Sequence, residues 1–428
     1  MEVRIKKFKK LCSFGLALVM MITTCQLVYA SETDSEEKAT DAVTENLEKS
    51  DKENTYTIFN EPQQTLQEIG FDVNSQAAVL MEGSTGNVIF SKNETEHLRP
   101  ASITKIMTLL LIFEALDEGR IKFSDIVSVS EHAASMGGSQ VYLEPFETQD
   151  VETLIKCISI ASANDASVAM AEHIAGSEES FVSKMNQRAK ELGMNHTNFV
   201  NCYGLDNDNH FTCALDVAIM SRELITKHPQ ISNYSTVWMD TFVHTTKKGQ
   251  TTFGLTNTNK LIKSFKGITG LKTGSTSLAK YCLSATAHRD NMDLIAVIMA
   301  APDPKIRFSE AAKLLNYGYA NCSLYLDKGE DLIIPEVNVR KGIDVTVNGK
   351  LAKDFSYLCM NGVKVSDITK EVVMREDVEA PLAITDVIGE VVYYSNGKEI
   401  GRASINPVKE IGKAGYGDYF KQLLNEYL

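Results

Sequence analysis

The first strongly patterned stretch of the chain is a pair of short apolar runs, Ala77 to Met81 and Val88 to Phe90, separated by Gly83-Ser-Thr-Gly86. Apolar runs of this length around a glycine-bearing turn predict a β-hairpin. From Pro100 the period changes: Ile106, Met107, Leu109, Leu110 and Phe113 recur at helical spacing, and Pro100 suits the start of that helix. Thr153 to Ala163, Asp165 to Ala175 and Ser180 to Leu192 repeat the three-and-four spacing, with Gly193 as a stop after the last. Tyr281 to Ala287 and Leu294 to Ala300 read as paired strands around Arg289-Asp290-Asn291, and Lys305 to Tyr319 returns to a helical pattern. This order predicts an α/β (α+β) domain with an antiparallel sheet and a helical cluster.

Beyond Cys322 the texture becomes strand-like alternation, with turn signals at Lys341-Gly342, Asn348-Gly349, Asn361-Gly362 and Asn396-Gly397, which predicts a small all-β domain. The last segment sets Phe420, Leu423, Leu424, Tyr427 and Leu428 on one helical face. Such a face suits a membrane interface, its own β domain or another copy of the chain. The resulting division is 1–30, 31–57, 58–321, 322–412 and 413–428.

The ends and the composition add a compartment. Arg4, Lys6, Lys7, Lys9 and Lys10 precede an apolar run from Leu11 to Thr24, and Val28-Tyr29-Ala30 fits a cleavage site, so residues 1–30 read as a secretory signal. Residues 31–57 are acidic and poor in large apolar side chains, too polar to bury a core, and read as a disordered linker. A formal net charge of −13 makes nucleic acid an unsuitable partner. Outside the signal, Cys157, Cys202, Cys213, Cys282, Cys322 and Cys359 have no metal-motif spacing and read as buried thiols; Cys202 and Cys213, flanking one loop, are the pair to test for a disulfide.

The chemistry starts at Arg99-Pro-Ala-Ser-Ile-Thr-Lys-Ile-Met-Thr108, where Ser102 and Lys105 lie three residues apart and therefore on one helix face. A lysine whose pKa is lowered by burial or by a second cation can take the serine proton at neutral pH. Ser-x-x-Lys alone is common on solvated helices. Two further motifs follow in order, Ser162-Ala163-Asn164 and Lys272-Thr273-Gly274.

With this triple the sequence resembles the serine penicillin-recognising enzymes, marked by S-x-x-K, S-x-N and K-T-G. Within them it is similar to the low-molecular-mass penicillin-binding proteins that act as D-alanyl-D-alanine carboxypeptidases, through Ala78-Val-Leu-Met-Glu, Gly137-Gly-Ser-Gln-Val-Tyr, Ile160-Ala-Ser-Ala-Asn-Asp-Ala, Asn257-Thr-Asn-Lys-Leu and Gly270-Leu-Lys-Thr-Gly. The resemblance implies a β-lactamase/transpeptidase-like catalytic domain over 58–321, no cofactor, and a location outside the cytoplasm, at the cell wall or the outer face of the membrane. It implies peptidoglycan stem peptides ending in D-Ala-D-Ala as substrate and β-lactam antibiotics as covalent inhibitors. Ser102 is then the nucleophile, Lys105 the base and Ser162 the proton relay to the leaving amine. Asn164, Lys272 and Thr273 bind substrate, Gly274 leaves room for it beside the strand, and the N–H groups of Ser102 and Ser275 form the oxyanion hole.

The chain departs from the family pattern at Thr269, where Asp is frequent, at Lys280 and Phe146, where Gly is frequent, and at Tyr203, where His is common. Rival readings are a β-lactamase, for which Glu191-Leu-Gly-Met-Asn195 offers a superficial water-activating loop, a crosslink endopeptidase, and a catalytically idle wall-binding protein. Ser162 and Asn164 could also merely cap a helix. The eight histidines are scattered without ligand spacing.

Overall fold

The computed structural model describes residues 70–246 and 249–427; the segments read as signal and acidic linker lie outside them. The predicted hairpin forms as β1 (Ala77–Glu82) and β2 (Val88–Lys92). It joins β7 (Ile268–Thr276), β8 (Lys280–Arg289) and β9 (Met292–Ala301) in an antiparallel five-stranded sheet of order β2-β1-β9-β8-β7. Between them in the chain lie two small hairpins, β3 (Ile126–Ser128) with β4 (Thr148–Asp150) and β5 (Met239–Thr246) with β6 (Gly249–Thr256).

Strand β9 shows why the sheet sits where it does. Its side chains alternate between faces: Ile295, Val297 and Met299 join a core with the helical cluster, while Leu294, Ala296 and Ile298 join a second core with Ala311, Leu314 and Leu315. Those three belong to the helix Pro304–Asn321, which starts on Asp303, whose side chain accepts from Lys305 N–H. A sheet covered on both faces reads as a continuous apolar run, as β9 does.

The helix Lys105–Asp117 is the centre of the cluster. Ten of its residues are buried, on every face, which is what an all-round apolar helix requires. Truncating Phe113, fully buried there, would cost about 3–5 kcal/mol. Around it pack Val151–Ile160, Asn164–Ala175, Glu178–Glu191 and Ala214–Lys227. Asp150 and Ser177 cap two of these through Thr153 N–H and Ser180 N–H.

One local expectation is corrected. Ser102 is not on the α-helix: Ala101–Thr104 form a single 3-10 turn with Pro100 as its cap, and Lys105 is the first α-helical residue. The turn tightens because the strand β7 and the loop at Gly204 press on it from both sides, as described below.

After Asn321 the chain enters the β domain. It contains β10 (Ser323–Asp327) paired with β14 (Phe355–Cys359), β11 (Val337–Asn338) with β12 (Thr346–Val347), and a four-stranded sheet β13-β17-β16-β15 of Gly349–Leu351, Lys398–Pro407, Gly389–Ser395 and Ile368–Met374. Asn396-Gly397 makes the predicted turn between β16 and β17, with φ of 50° and 77°. Asn348-Gly349 does not: Gly349 opens β13 opposite Pro407, and a Cβ there would lie 2.5 Å from Ile405 Cγ2. Its glycine serves packing rather than a turn.

All six cysteines among the described residues are free thiols, so Cys202 and Cys213 are not bridged; the Cys213 sulfur instead accepts from Asp216 N–H at the start of the helix Ala214–Lys227. The tail forms a helix, Tyr416–Tyr427, with Tyr419, Phe420, Leu423 and Leu424 exposed; Leu428 lies outside the described residues. Gln422 donates to the carbonyls of Gly342 and Ile343, which ties the helix to the β domain. No helix among the described residues is long and apolar enough to cross a membrane.

Candidate active site

The 3-10 turn, the start of the helix Asn164–Ala175 and the edge strand β7 converge on one point, and with them the three sequence motifs. Lys105 and Lys272 are both buried side chains at this point. Lys105 Nζ lies 2.6 Å from Asn164 Oδ1, 2.6 Å from the Tyr203 carbonyl and 3.1 Å from Ser102 Oγ. A neutral amine has two N–H groups and one lone pair. The two short contacts are to oxygens that can only accept, so they take both N–H groups and leave the lone pair for the Ser102 hydroxyl. Burial, and then the charge of Lys272, hold the Lys105 amine well below the usual lysine range. The electrostatics favour an unprotonated Lys105, and the three contacts leave such an amine facing Ser102.

Lys272 Nζ donates to Ser162 Oγ at 2.8 Å, so the second lysine holds the second serine. Ser162 has φ of 62°, a left-handed conformation uncommon for serine, and such local strain is concentrated at functional positions. Ser162 and Asn164 do not cap the helix: its cap is Ala163, with no side-chain hydrogen bond. Asn164 instead spans the site, donating through Nδ2 to the Gly137 carbonyl at 2.7 Å.

Burial, and then Arg307, push the Lys272 pKa down to about 7. Arg307 was not singled out in the sequence. It comes from the helix Pro304–Asn321 behind the sheet and donates to the carbonyls of Gly274 and Cys282 at 3.0 and 3.2 Å. Thr258 was also missed as a site residue, although its Asn257-Thr-Asn motif was noted; its hydroxyl lies 2.6 Å from that of Thr273. Asn259, in the same motif, donates to the Gly270 carbonyl and so anchors β7.

Gly274 has a different demand on it from the one expected. A Cβ there would lie 2.8 Å from the Pro100 carbonyl and 3.0 Å from the Ser102 nitrogen, so the missing side chain admits the turn that carries Ser102. On the other side Gly204, at φ of 94°, would place a Cβ 1.9 Å from the Ala101 carbonyl. Strand β7 continues through Ser275 to Thr276, which donates to Asp206.

The departures from the family pattern have local reasons. Lys280 and Phe146 have φ of 56° and 65°, which is why glycine suits both positions; here a lysine and a 65% exposed phenylalanine adopt them. Tyr203 meets Lys105 through its main-chain carbonyl, which any residue supplies. Thr269 donates to the Thr286 hydroxyl and leaves the site untouched. Glu191, the residue on which a β-lactamase reading depended, ends the helix Glu178–Glu191 and faces Arg188 and Gln187. Among the described residues no group of three His, Cys, Asp or Glu side chains forms a metal site.

One histidine supports the site from below. His210 is buried; Val200 N–H donates to its Nδ1 at 3.0 Å, so its Nε2 carries the proton and donates to Thr104 Oγ1 at 2.8 Å, in the turn that carries Ser102. Burial, then Arg99, push its pKa down to about 4. Because the unfolded chain takes up this proton near pH 6.5 and the folded one does not, stability is full above that pH. It falls towards pH 4 by up to about 3 kcal/mol. His210→Gln should flatten this part of the pH–stability curve in urea unfolding at pH 7 and pH 4.5; an unchanged difference between the two would refute the assignment.

Residues 60–303 match the D-alanyl-D-alanine carboxypeptidase family and residues 325–413 the C-terminal domain of penicillin-binding protein 5. The D-alanyl-D-alanine carboxypeptidase DacF of Bacillus subtilis is 42% identical over 353 residues, 82% of this chain and 90% of the relative. The crystal structure of penicillin binding protein 5 from Haemophilus influenzae superposes with a TM-score of 0.69 at 31% identity, covering 82% of this chain and all of that one. Penicillin-binding protein D2 from Listeria monocytogenes, in its ampicillin-bound form, superposes with a TM-score of 0.52 at 28% identity, over 58% of this chain and 99% of that one. The matched span contains the three motifs that the fold gathers around Ser102, and the chain belongs to the D-alanyl-D-alanine carboxypeptidase family, with a penicillin-binding protein 5 C-terminal domain behind the catalytic one.

Proposed function

We propose that the protein removes the terminal D-alanine from peptidoglycan stem peptides ending in D-Ala-D-Ala, with Ser102 as nucleophile. The observation that carries this reading is the buried Lys105 amine, held by Asn164 Oδ1 and the Tyr203 carbonyl with its Nζ 3.1 Å from Ser102 Oγ. Ser102 Oγ attacks the carbonyl between the two D-alanines while Lys105 takes its proton. The N–H groups of Ser102 and Ser275 stabilise the oxyanion. Ser162 passes a proton to the departing amine, D-alanine leaves, and water hydrolyses the ester to release the shortened peptide and restore the hydroxyl. Lys272 and Thr273 hold the terminal carboxylate, which replaces part of the solvation the buried Lys272 has lost. β-Lactams enter the same acylation step and stop at the ester, as the ampicillin-bound relative suggests.

The direct test is incubation of the purified protein with a pentapeptide ending in D-Ala-D-Ala, following D-alanine release by mass, beside covalent labelling by a fluorescent penicillin. Neither release nor labelling would overturn the reading.

Lys272→Ala should lower kcat/KM by about 10²- to 10³-fold, since one cation serves both the substrate carboxylate and the electrostatics of Lys105. A substrate with its terminal carboxylate amidated should lose much less; an equal loss on both substrates would argue against direct recognition.

The protein acts outside the cytoplasm, exported by residues 1–30 and held at the outer membrane face by its tail. The exposed Tyr419, Phe420, Leu423 and Leu424 support this placement. Deleting Tyr419 to Leu428 should move mature enzyme from the membrane to the soluble fraction while activity on small peptides survives. Mature protein that fails to sediment with liposomes would remove the membrane role and leave packing on the β domain, read as a lower Tm after truncation.

A further inference from the structure

The first turn of the helix Asn164–Ala175 carries a buried carboxylate that the acylation chemistry leaves unused. Asp165 is 0% exposed. Its Oδ2 accepts from the N–H groups of Val141 and Leu143, each at 3.1 Å, and its Oδ1 from Ala166 N–H at 2.9 Å and Val141 N–H at 3.3 Å. Among the described residues no cation forms an ion pair with it. A buried anion held only by neutral donors costs free energy to keep, so the loop amides that hold it are strongly committed to their positions.

That same loop is tied to the preceding residue. Asn164 N–H donates to the Ser139 carbonyl at 2.8 Å and Asn164 Nδ2 to the Gly137 carbonyl at 2.7 Å. Residues 137–143 are thus fastened to two consecutive positions, Asn164 by its donors and Asp165 by its acceptors. Asn164 Oδ1 in turn accepts from Lys105 Nζ at 2.6 Å, so the loop that holds Asn164 also sets one of the contacts that place the amine beside Ser102.

The charged and titratable groups facing Lys105 come from three elements. Lys272 on β7 disfavours its protonation, Asp165 favours it, and Cys202 stays an uncharged thiol because burial raises its pKa. Facing Asp165 itself, the Cys157 thiol of the helix Val151–Ile160 is likewise kept protonated.

We propose that Asp165 is a positioning residue for acylation: its carboxylate clamps the Gly137–Leu143 loop and through Asn164 orients Lys105. The proposal rests on the assignment of Lys105 as the base.

Asp165→Asn keeps the size and one acceptor oxygen and removes the charge. Its rate of penicillin acylation, taken per folded and labelled site, should fall about tenfold at pH 7 because the clamp loosens. The acid limb of its pH–rate profile should move down by about half a pH unit, because Lys105 loses an anion that favours its proton. Asp165→Glu should return the limb towards the wild-type position while the rate stays low. KM for the pentapeptide should change less than threefold, since Lys272 and Thr273 are untouched. A merely structural role lowers Tm and the labelled fraction without moving the limb, so an unshifted limb or an undiminished rate overturns the proposal.

Should the variants not fold, amide hydrogen exchange of the wild-type protein decides. Val141 and Leu143 must exchange as slowly as the core of the helix Lys105–Asp117, and fast exchange there overturns the clamp. Failure of the wild-type enzyme to release D-alanine or label with penicillin strikes the assigned function instead, so the two failures are distinct.

Discussion

Ser102→Ala is expected to abolish penicillin labelling and to slow D-alanine release by on the order of 10⁴- to 10⁶-fold, while the protein folds with an almost unchanged Tm. The hydroxyl belongs to a half-buried serine inside a 3-10 turn whose other residues Ala101, Ile103 and Thr104 supply the packing. Removing it takes away one contact to Lys105 and leaves the Asn164 and Tyr203 contacts in place. Catalysis is lost because no other oxygen nucleophile is shown beside that amine. Labelling of the variant at the wild-type rate would end the assignment of Ser102, and mass mapping of the labelled peptide would name the true nucleophile.

Lys105→Ala should be nearly as severe, about 10⁴-fold in acylation, for a reason that pH can expose. Burial and the charge of Lys272 lower the pKa of the base well below that of an ordinary lysine. The reactive, neutral form is therefore present above that lowered pKa and lost as the pH falls through it, so wild-type acylation should decline along an acid limb that lies well below the ordinary lysine range. Lys105→Ala should abolish this limb along with the rate. Retained acylation at pH 7 would point to Ser162 or Lys272 as the base. The variant should also lose stability, because the Asn164 Oδ1 and Tyr203 carbonyl acceptors are left without their donor in a buried setting.

Several elements could be read directly from residue order. The hairpin around Gly83 and Gly86, the paired strands around Arg289 to Asn291 and the Asn396-Gly397 turn are all encoded by neighbours in the chain, and the structure contains each. The helix over Pro304–Asn321 was likewise visible in its apolar spacing. By contrast the β5–β6 hairpin, with its mixed threonines, had no clear alternation in the sequence; its burial comes from Phe242, His244 and Leu255 facing the cluster, a fact of packing.

For the site the division is the same. Ser102 and Lys105 are neighbours by chain geometry, and the order of the three motifs identified the family. Resemblance to that family implied that Lys272 and Ser162 serve one site; that Lys272 holds Ser162 from 110 residues away is a contact seen only in the fold. His210 and Arg307 had no signal that set them apart, and Thr258 and Asp165 lay inside family-like motifs that assigned them no role, since a polar residue in a sequence shows neither its depth nor its partner.

What the sequence by itself determined is the set of local elements, the order of a catalytic-family domain before a β domain, and the three motifs that mark the candidate site, because these depend on spacing and on side-chain chemistry. The tertiary structure decided the 3-10 turn at Ser102, where Gly204 and Gly274 admit backbone that no side chain could clear. It also decided the protonation of Lys105. Its lowered pKa arises from burial and from the charge of Lys272, and desolvation and Coulomb energy depend on distances in space that the order of residues along the chain does not contain.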